Sequence, residues 1–248
     1  MTQELKMYTS LAPYWSLITP AEDYSEEAAF YEQLLIEHCQ GAARTVLELG
    51  CGGGNNATYL KKRFVMTLTD LSSEMLAVSQ RQNPECEHLQ ADMRTLRLGR
   101  QFDCVFVQDA VSHMNTEADL RMTMETAFQH CRPGGVALLM PDAVREHFCP
   151  STECDGHDDG VRGLRYLEWT WDPDPDDSQY TVDFAYLLRD ENGAVTTLHD
   201  RFVLGLFSRQ EWLSWLEAVG FQAHAVPMDI DGVEPGRYEV FVARRPVS

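Results

Sequence analysis

The chain reads as an α/β protein built on a doubly wound, mostly parallel sheet, and three observations predict it. An apolar run, Thr45-Val46-Leu47-Glu48-Leu49, breaks directly into glycines and then into a helix-compatible segment. Short apolar runs alternate with helical stretches from Thr45 to Met140, the order of parallel strands joined by crossover helices. Between Pro141 and about Gly205 helices give way to strand-like runs divided by turn residues, which predicts an antiparallel insertion after the fifth strand.

Taken in order, residues 1–44 form a helical segment interrupted by Pro13 and Pro20, with an amphipathic stretch from about Tyr24 to Cys39. The first strand ends in Gly50-Cys51-Gly52-Gly53-Gly54. Gly50 and Gly52 let a ligand approach the main chain closely at a strand's carboxyl end. A dinucleotide fingerprint requires glycine where Asn55 stands, so the pattern is G-x-G-x-G behind an acidic residue. The run Phe64–Thr69 ends at Asp70; Glu87–Gln90 leads to Ala91-Asp92-Met93; Phe102–Val107 leads to Gln108 and His113. A helix over Thr116–Cys131 precedes the turn Arg132-Pro133-Gly134-Gly135 and the strand Val136–Met140. In the insertion, strands are expected over Leu164–Trp171, Tyr180–Leu188 and Val195–Leu204, with turns at Asp172–Asp177 and Asp190–Gly193. The chain then closes with a helix from about Ser208 to Val219, stopped by Gly220, and strands over Phe221–Val226 and Arg237–Ala243.

Composition narrows the function. A net charge of −19 argues against a nucleic-acid substrate, and Lys61-Lys62-Arg63 is too short a patch to reverse that field. No stretch approaches the length of a membrane span, and the start lacks a basic-then-apolar export pattern, so a cytoplasmic location away from membranes is expected. Seven scattered cysteines read as buried thiols in a reducing compartment. His147, Cys149, Cys154 and His157 are zinc-compatible in type but fit no zinc spacing, and the acidic run Asp172–Asp177 lacks a calcium-loop pattern, so no metal is expected.

The landmarks Glu48, Gly50, Gly52 and Gly54, then Asp70, Asp92, Gln108 and the Pro133-Gly134-Gly135 turn, stand in the order of the class I S-adenosylmethionine-dependent methyltransferases, which the chain resembles. The resemblance implies a Rossmann-like sheet of that type, S-adenosylmethionine as cofactor, and one methyltransferase domain over 1–248. Within it, 1–44 is the helical segment, 45–141 the cofactor-binding core, 142–205 the β insertion and 206–248 the completion of the core. It also implies a cofactor-binding set of Tyr8, Tyr14, Glu48, Gly50, Cys51, Gly52, Asp70, Leu71, Asp92, Met93 and Gln108, with Asp70 on the ribose hydroxyls and Asp92 on the adenine amino group. Trp15 joins Tyr8 and Tyr14 as a candidate for lining the cofactor pocket; core packing is the alternative for these N-terminal aromatics, and helix capping for the two aspartates.

His113, just beyond strand four, is the candidate catalytic base, against the alternative of a surface histidine. Leu167, Trp169 and Trp171 share one face of a strand, and Tyr180, Val182, Phe184 and Tyr186 one face of the next; together they are expected to cap the cofactor. Tyr8-x5-Tyr14, Asp23-Tyr24-x-Glu26-Glu27-Ala28 and this cap are loosely similar to the amino-sugar N-methyltransferases, although only Arg145, Arg162 and Arg165 offer charge for a diphosphate. The expected partner is a small polar methyl acceptor, an amine favoured over a hydroxyl, with a homodimer left open. An aminopropyl transferase or other nucleotide enzyme, and a cofactor-binding regulator without turnover, are the alternatives.

Overall fold

The apolar runs become strands of two sheets in the computed structural model, which describes residues 5–231 and 236–247. Strands β1 (Thr45–Leu49), β2 (Val65–Asp70), β3 (Glu87–Gln90), β4 (Phe102–Gln108) and β5 (Cys131–Met140) are parallel. Four strands follow, β6 (Ser151–Asp155), β7 (Gly163–Trp171), β8 (Gln179–Arg189) and β9 (Val195–Gly205), and the chain returns to the first sheet with β10 (Gln222–Pro227) and β11 (Glu239–Arg244). The first sheet runs β10-β11-β5-β4-β1-β2-β3, with β11 antiparallel to both its neighbours. Strand order reverses between β1 and β4, so a crevice opens beyond their carboxyl ends.

Both faces of this sheet are buried, which is why its strands read as nearly unbroken apolar runs. Val46, Cys104, Phe106, Leu138 and Val242 pack with Leu35 of α2 (Ser25–His38) and Leu60 of α3 (Asn55–Leu60); the short α1 (Trp15–Ile18) precedes them. Leu76 of α4 (Ser73–Gln82) joins that layer. Leu47, Val105, Leu139 and Phe241 pack on the other face with Met124 of α5 (Glu117–His130) and Leu216 of α6 (Arg209–Val219). The last helix has a capping box, Ser208 with Glu211, and ends at Gly220 in the left-handed region with φ 117°.

Strand β5 begins at Cys131, five residues before the predicted start. Its Pro133-Gly134 turn is absorbed as an irregularity, with Gly134 at φ 76° and the pairing with β4 shifting between Phe102 and Cys104. The insertion also differs from expectation. It has four antiparallel strands, because the segment read as a polar loop contains β6, which pairs Thr152 with Trp169 and Cys154 with Leu167. Cys149 and Cys154 are exposed, not buried, and among the described residues no group of three or more His, Cys, Asp or Glu is placed to hold a metal.

The larger correction concerns faces. Glu168 lies opposite Phe184 and Thr170 opposite Val182, so Tyr166, Glu168 and Thr170 share the inner face with the β8 aromatics. Leu167 and Trp169, 41% and 51% exposed, share the outer face with Trp171, whose indole N–H donates to Asp183 at 2.9 Å. Register decides this, since a strand turns alternate residues to opposite sides and the apolar stripe of β8 fixes which side is inward. Val182, Phe184, Tyr186, Phe202 and Leu204 then pack against Met7, Leu11, Leu17 and Ile18 of the N-terminal segment. That segment is tied down at Met7, whose N–H donates to Asp200 at 2.9 Å, and at Leu17, whose carbonyl accepts from His157 N–H.

Candidate active site

Two cavities meet above the carboxyl ends of the parallel strands. The larger, about 640 Å³, is bounded by Glu48, the glycine turn, Asp70, Met93 and Gln108. The smaller, about 360 Å³, lies between the strand tips and the inner face of the second sheet, with Asp142, Glu168, Tyr180 and Phe184 in its wall. Tyr8, Trp15, Tyr24, Asp109 and His113 line both.

The large cavity is shaped mainly by backbone. Gly50 sits at φ 75°, its N–H and that of Cys51 donate to Thr69 O, and a Cβ there would overlap the Ala110 methyl. Gly53 carries the Trp15 indole directly against its Cα, where any side chain would collide with it. Asp70 is oriented by two main-chain donors, Gly52 N–H and Ser72 N–H, each at 2.8 Å. Burial raises its pKa, and those hydrogen bonds oppose the rise. Glu48 is buried with one carboxylate oxygen lacking any partner, and burial, then Asp70, pushes its pKa up to about 8.

These features fit S-adenosylmethionine. A buried, partnerless carboxyl and a second carboxylate at the next strand tip suit a ligand with ammonium, sulfonium and ribose hydroxyl groups, and the glycines leave it room. Bound there, the cofactor supplies an electrophilic methyl group.

At the junction, Tyr8 Oη and His113 Nε2 lie 3.0 Å apart, a hydrogen bond whose donor depends on the imidazole tautomer. Burial lowers His113 to a pKa of about 4, so the ring is neutral near pH 7 and holds a proton weakly. Asp109 adopts φ 48°, costly for a residue with a Cβ, and faces Asp142; burial first, then their mutual repulsion, raises Asp109. Glu168 is raised to about 7 by burial and by Glu153 and Asp142.

Comparison with known proteins agrees with this geometry. Residues 46–135 match a family model described as a methyltransferase domain. The chain is 26% identical over 210 residues to a dTDP-3-amino-3,6-dideoxy-alpha-D-glucopyranose N,N-dimethyltransferase of Streptomyces fradiae, covering 83% of this chain and 80% of that one. Among solved structures it is similar to Streptomyces venezuelae DesVI, with a TM-score of 0.82 at 23% identity over 95% of this chain and 98% of that one. It is also similar to SAM-bound CalS10, an amino pentose methyltransferase from Micromonospora echinaspora, with a TM-score of 0.76 at 23% identity over 99% of each chain.

Residues 46–135 carry a methyltransferase domain of the class I S-adenosylmethionine-dependent kind.

Of the readings open from the sequence, methyl transfer is the one these comparisons support. The methyltransferase brings Tyr8, Glu48, Gly50, Cys51, Gly52, Asp70, Leu71, Asp92, Met93, Gln108 and His113 to the wall of the larger cavity. Tyr14 stands apart: its ring lies under the Arg162 guanidinium at 4.8 Å, and the helical phase gives the wall to its neighbour Trp15. Asp92 reaches the wall already engaged, bound by Arg94, which bridges to Asp119 at 2.9 Å and holds the Asp92 pKa below its ordinary range. Gln108 accepts from Asn56, which also donates to Glu27. His113 is enclosed rather than on the surface. Trp15, a candidate for the cofactor pocket from the sequence, lines both cavities, whereas sequence reasoning overlooked Tyr24, Asp109, Asp142 and Glu168 as wall residues. Asp109 and Asp142 were within reach of the rule that ligands meet strand tips, since each follows the end of a strand.

Among the described residues, no helix is long and apolar enough to cross a membrane.

Proposed function

We propose that this methyltransferase transfers a methyl group to the amino nitrogen of a small polar acceptor. The reading rests on one observation: the smaller cavity opens into the cofactor cavity where Tyr8, Asp109 and His113 form a common wall, with part-buried carboxyls but no lysine beside them. A carboxyl-rich wall favours an acceptor that arrives as an ammonium ion and disfavours an anionic one. The names of the Streptomyces fradiae and Micromonospora echinaspora relatives, both of amino-sugar type, support the same direction.

In this reading residues 45–141 and 206–248 hold the cofactor, and 142–205 with the N-terminal segment shape the acceptor site. Glu48, Gly50, Cys51, Gly52, Asp70, Leu71, Asp92, Met93, Gln108 and Tyr8 form the cofactor wall, with Asp70 accepting from the ribose hydroxyls. The acceptor ammonium gives a proton to the Asp109–Asp142 carboxyls, and the freed lone pair forms the N–C bond as the C–S bond breaks. Positioning and water exclusion carry most of the acceleration. His113, with a pKa near 4, is too weak a base to keep an ammonium proton; it orients the nitrogen together with Tyr8.

The test is methyl transfer from labelled cofactor to matched amine, hydroxyl and carboxylate acceptors, with products located by mass spectrometry. Turnover confined to hydroxyls or carboxylates would sink the proposal. His113→Ala should lower the transfer rate roughly tenfold, below the 10²–10⁴ typical of a lost general base, with cofactor affinity nearly unchanged. A larger loss, with a kinetic pKa near 6.5 abolished by the substitution, would restore His113 as the base.

A further inference from the structure

Four carboxyls, Asp109, Asp142, Glu153 and Glu168, line the smaller cavity against one guanidinium, Arg237. Asp109, Asp142 and Glu168 are part-buried and Glu153 is exposed, and among the described residues none of the four forms an ion pair with lysine or arginine, although acids elsewhere in the chain do. Asp109 and Asp142 are part-buried and stand close to each other beside the Gln108 and Ser112 side chains. Glu168 accepts a hydrogen bond from the Thr170 hydroxyl at 3.3 Å and lies across from Glu153, a like charge. Part-buried carboxyls without a counter-charge are costly, and a cation in the cavity relieves that cost.

The arginines that could have neutralised a diphosphate are committed elsewhere. Arg145 donates to the carbonyls of Pro175, Asp177 and Leu206, Arg162 pairs with Asp159, and Arg165 pairs with Asp158. None of the three lines the cavity. A nucleoside diphosphate ester would thus bring two negative charges to a wall with an excess of acids and one arginine, in a cavity near the small end of the ligand-site range.

Building on the amine reading above, we propose that the acceptor is a cationic amine on a scaffold without a diphosphate, neutral or carrying further amines. Glu168 and the Asp109–Asp142 pair supply the counter-charge that selects it. The site would thus differ in acceptor class from a relative named for a dTDP-linked sugar.

The experiment compares kcat/KM of the full-length protein for three probes: the methyl glycoside of an amino sugar, an aminocyclitol with two amines, and the same amino sugar as its thymidine diphosphate ester. The diphosphate-free probes should be preferred by at least about tenfold, and added salt should raise KM for the diamine as screening weakens the attraction. Glu168→Gln should shrink that preference severalfold, raising KM for the diamine more than it lowers kcat, while calorimetry with S-adenosylhomocysteine reports an intact cofactor site. A nucleotide ester preferred over both other probes overturns the proposal and leaves the amine reading standing. So does a diamine KM indifferent to salt in the unaltered protein, a measurement that does not depend on the variant folding. Transfer to hydroxyl acceptors only would sink both.

Discussion

The two cavities that meet at Tyr8 and His113 are made in different ways. On the cofactor side, main-chain geometry does most of the shaping: a left-handed glycine, amides aimed at Thr69 and Asp70, and an indole laid on a Cα. The smaller cavity, the proposed acceptor side, is made from side chains on the inner face of a sheet, whose backbone pairing is ordinary antiparallel ladder. A backbone-built site is intolerant of added atoms yet indifferent to much of the surrounding composition. A side-chain-built site can be retuned one residue at a time without disturbing the fold.

The largest effect that would test this contrast is Gly50→Val. The branched side chain would meet Ala110 and Met93 at a positive φ, so cofactor affinity should fall by more than about 100-fold and stability by roughly 2–4 kcal/mol. Calorimetry and thermal unfolding measure both, and near-parental binding would show that the turn is not the cofactor's floor. Asp70→Ala should cost less, weakening S-adenosylhomocysteine binding by about 1.5–3 kcal/mol, since it removes a charged acceptor while leaving the turn in place. Unaltered affinity would remove Asp70 from the ribose site.

The pH dependence of stability sharpens the comparison further. Glu48, Glu27 and Glu168 are raised to about 8, 7 and 7, chiefly by burial. Between the ordinary glutamate pKa and those values the native protein holds protons that the unfolded chain has lost, so stability should fall as pH rises from about 4.5 to 8. His113 works in the opposite sense. It is lowered to about 4, so the unfolded chain takes up a proton first and stability is lost as pH drops from about 6.5 toward 4. Burial also raises Asp70, Asp109 and Asp142 and lowers His38 and His130, so raised carboxyls outnumber lowered imidazoles and the ligand-free protein should melt highest under mildly acidic conditions. Glu48→Gln should flatten the alkaline decline, lifting Tm at pH 8 by about 2–5 °C. A melting curve that climbed steadily from pH 5 to 8 would contradict the assignment. The smallest effect belongs to Trp169→Ser. It lies on the outer face of β7, so kcat/KM should change by less than about twofold, whereas Phe184→Ala, opening the cavity wall, should lower it by tenfold or more. If Trp169 proved the more sensitive, the inner and outer faces would have to be exchanged.

The same contrast explains what could be read in the sequence. Glycines behind an apolar run, and acids at successive strand ends, are local signals, so Glu48, Gly50, Gly52 and Asp70 were legible without knowledge of the fold. The face of β7 was not. Leu167-x-Trp169-x-Trp171 is the more apolar set and looks inward by composition, but pairing with β8 turns Glu168 and Thr170 to the cavity. Register is a long-range property, and a one-residue slip reverses every assignment. Tyr14 and Trp15 illustrate the same difficulty in a helical turn, where adjacent aromatics point about 100° apart and only packing decides which reaches the wall.

The tether between Met7 and Asp200 joins residues 193 positions apart, and Tyr8 beside it also offers its carbonyl to Ser72 Oγ. Synthesis runs from the N-terminus, so the segment that bears Tyr8 and Trp15 is made before the strands it docks on, and its docking surface on β9 exists only after some two hundred residues have followed. Through that interval Met7, Leu11, Leu17 and Ile18 have no apolar face to cover them, and contacts of such sequence separation close slowly. The wall common to both cavities should accordingly be completed late in folding, after the parallel strands have formed. Synthesis halted between β5 and β9 would leave a glycine turn already shaped for the cofactor beneath an aromatic wall not yet in place.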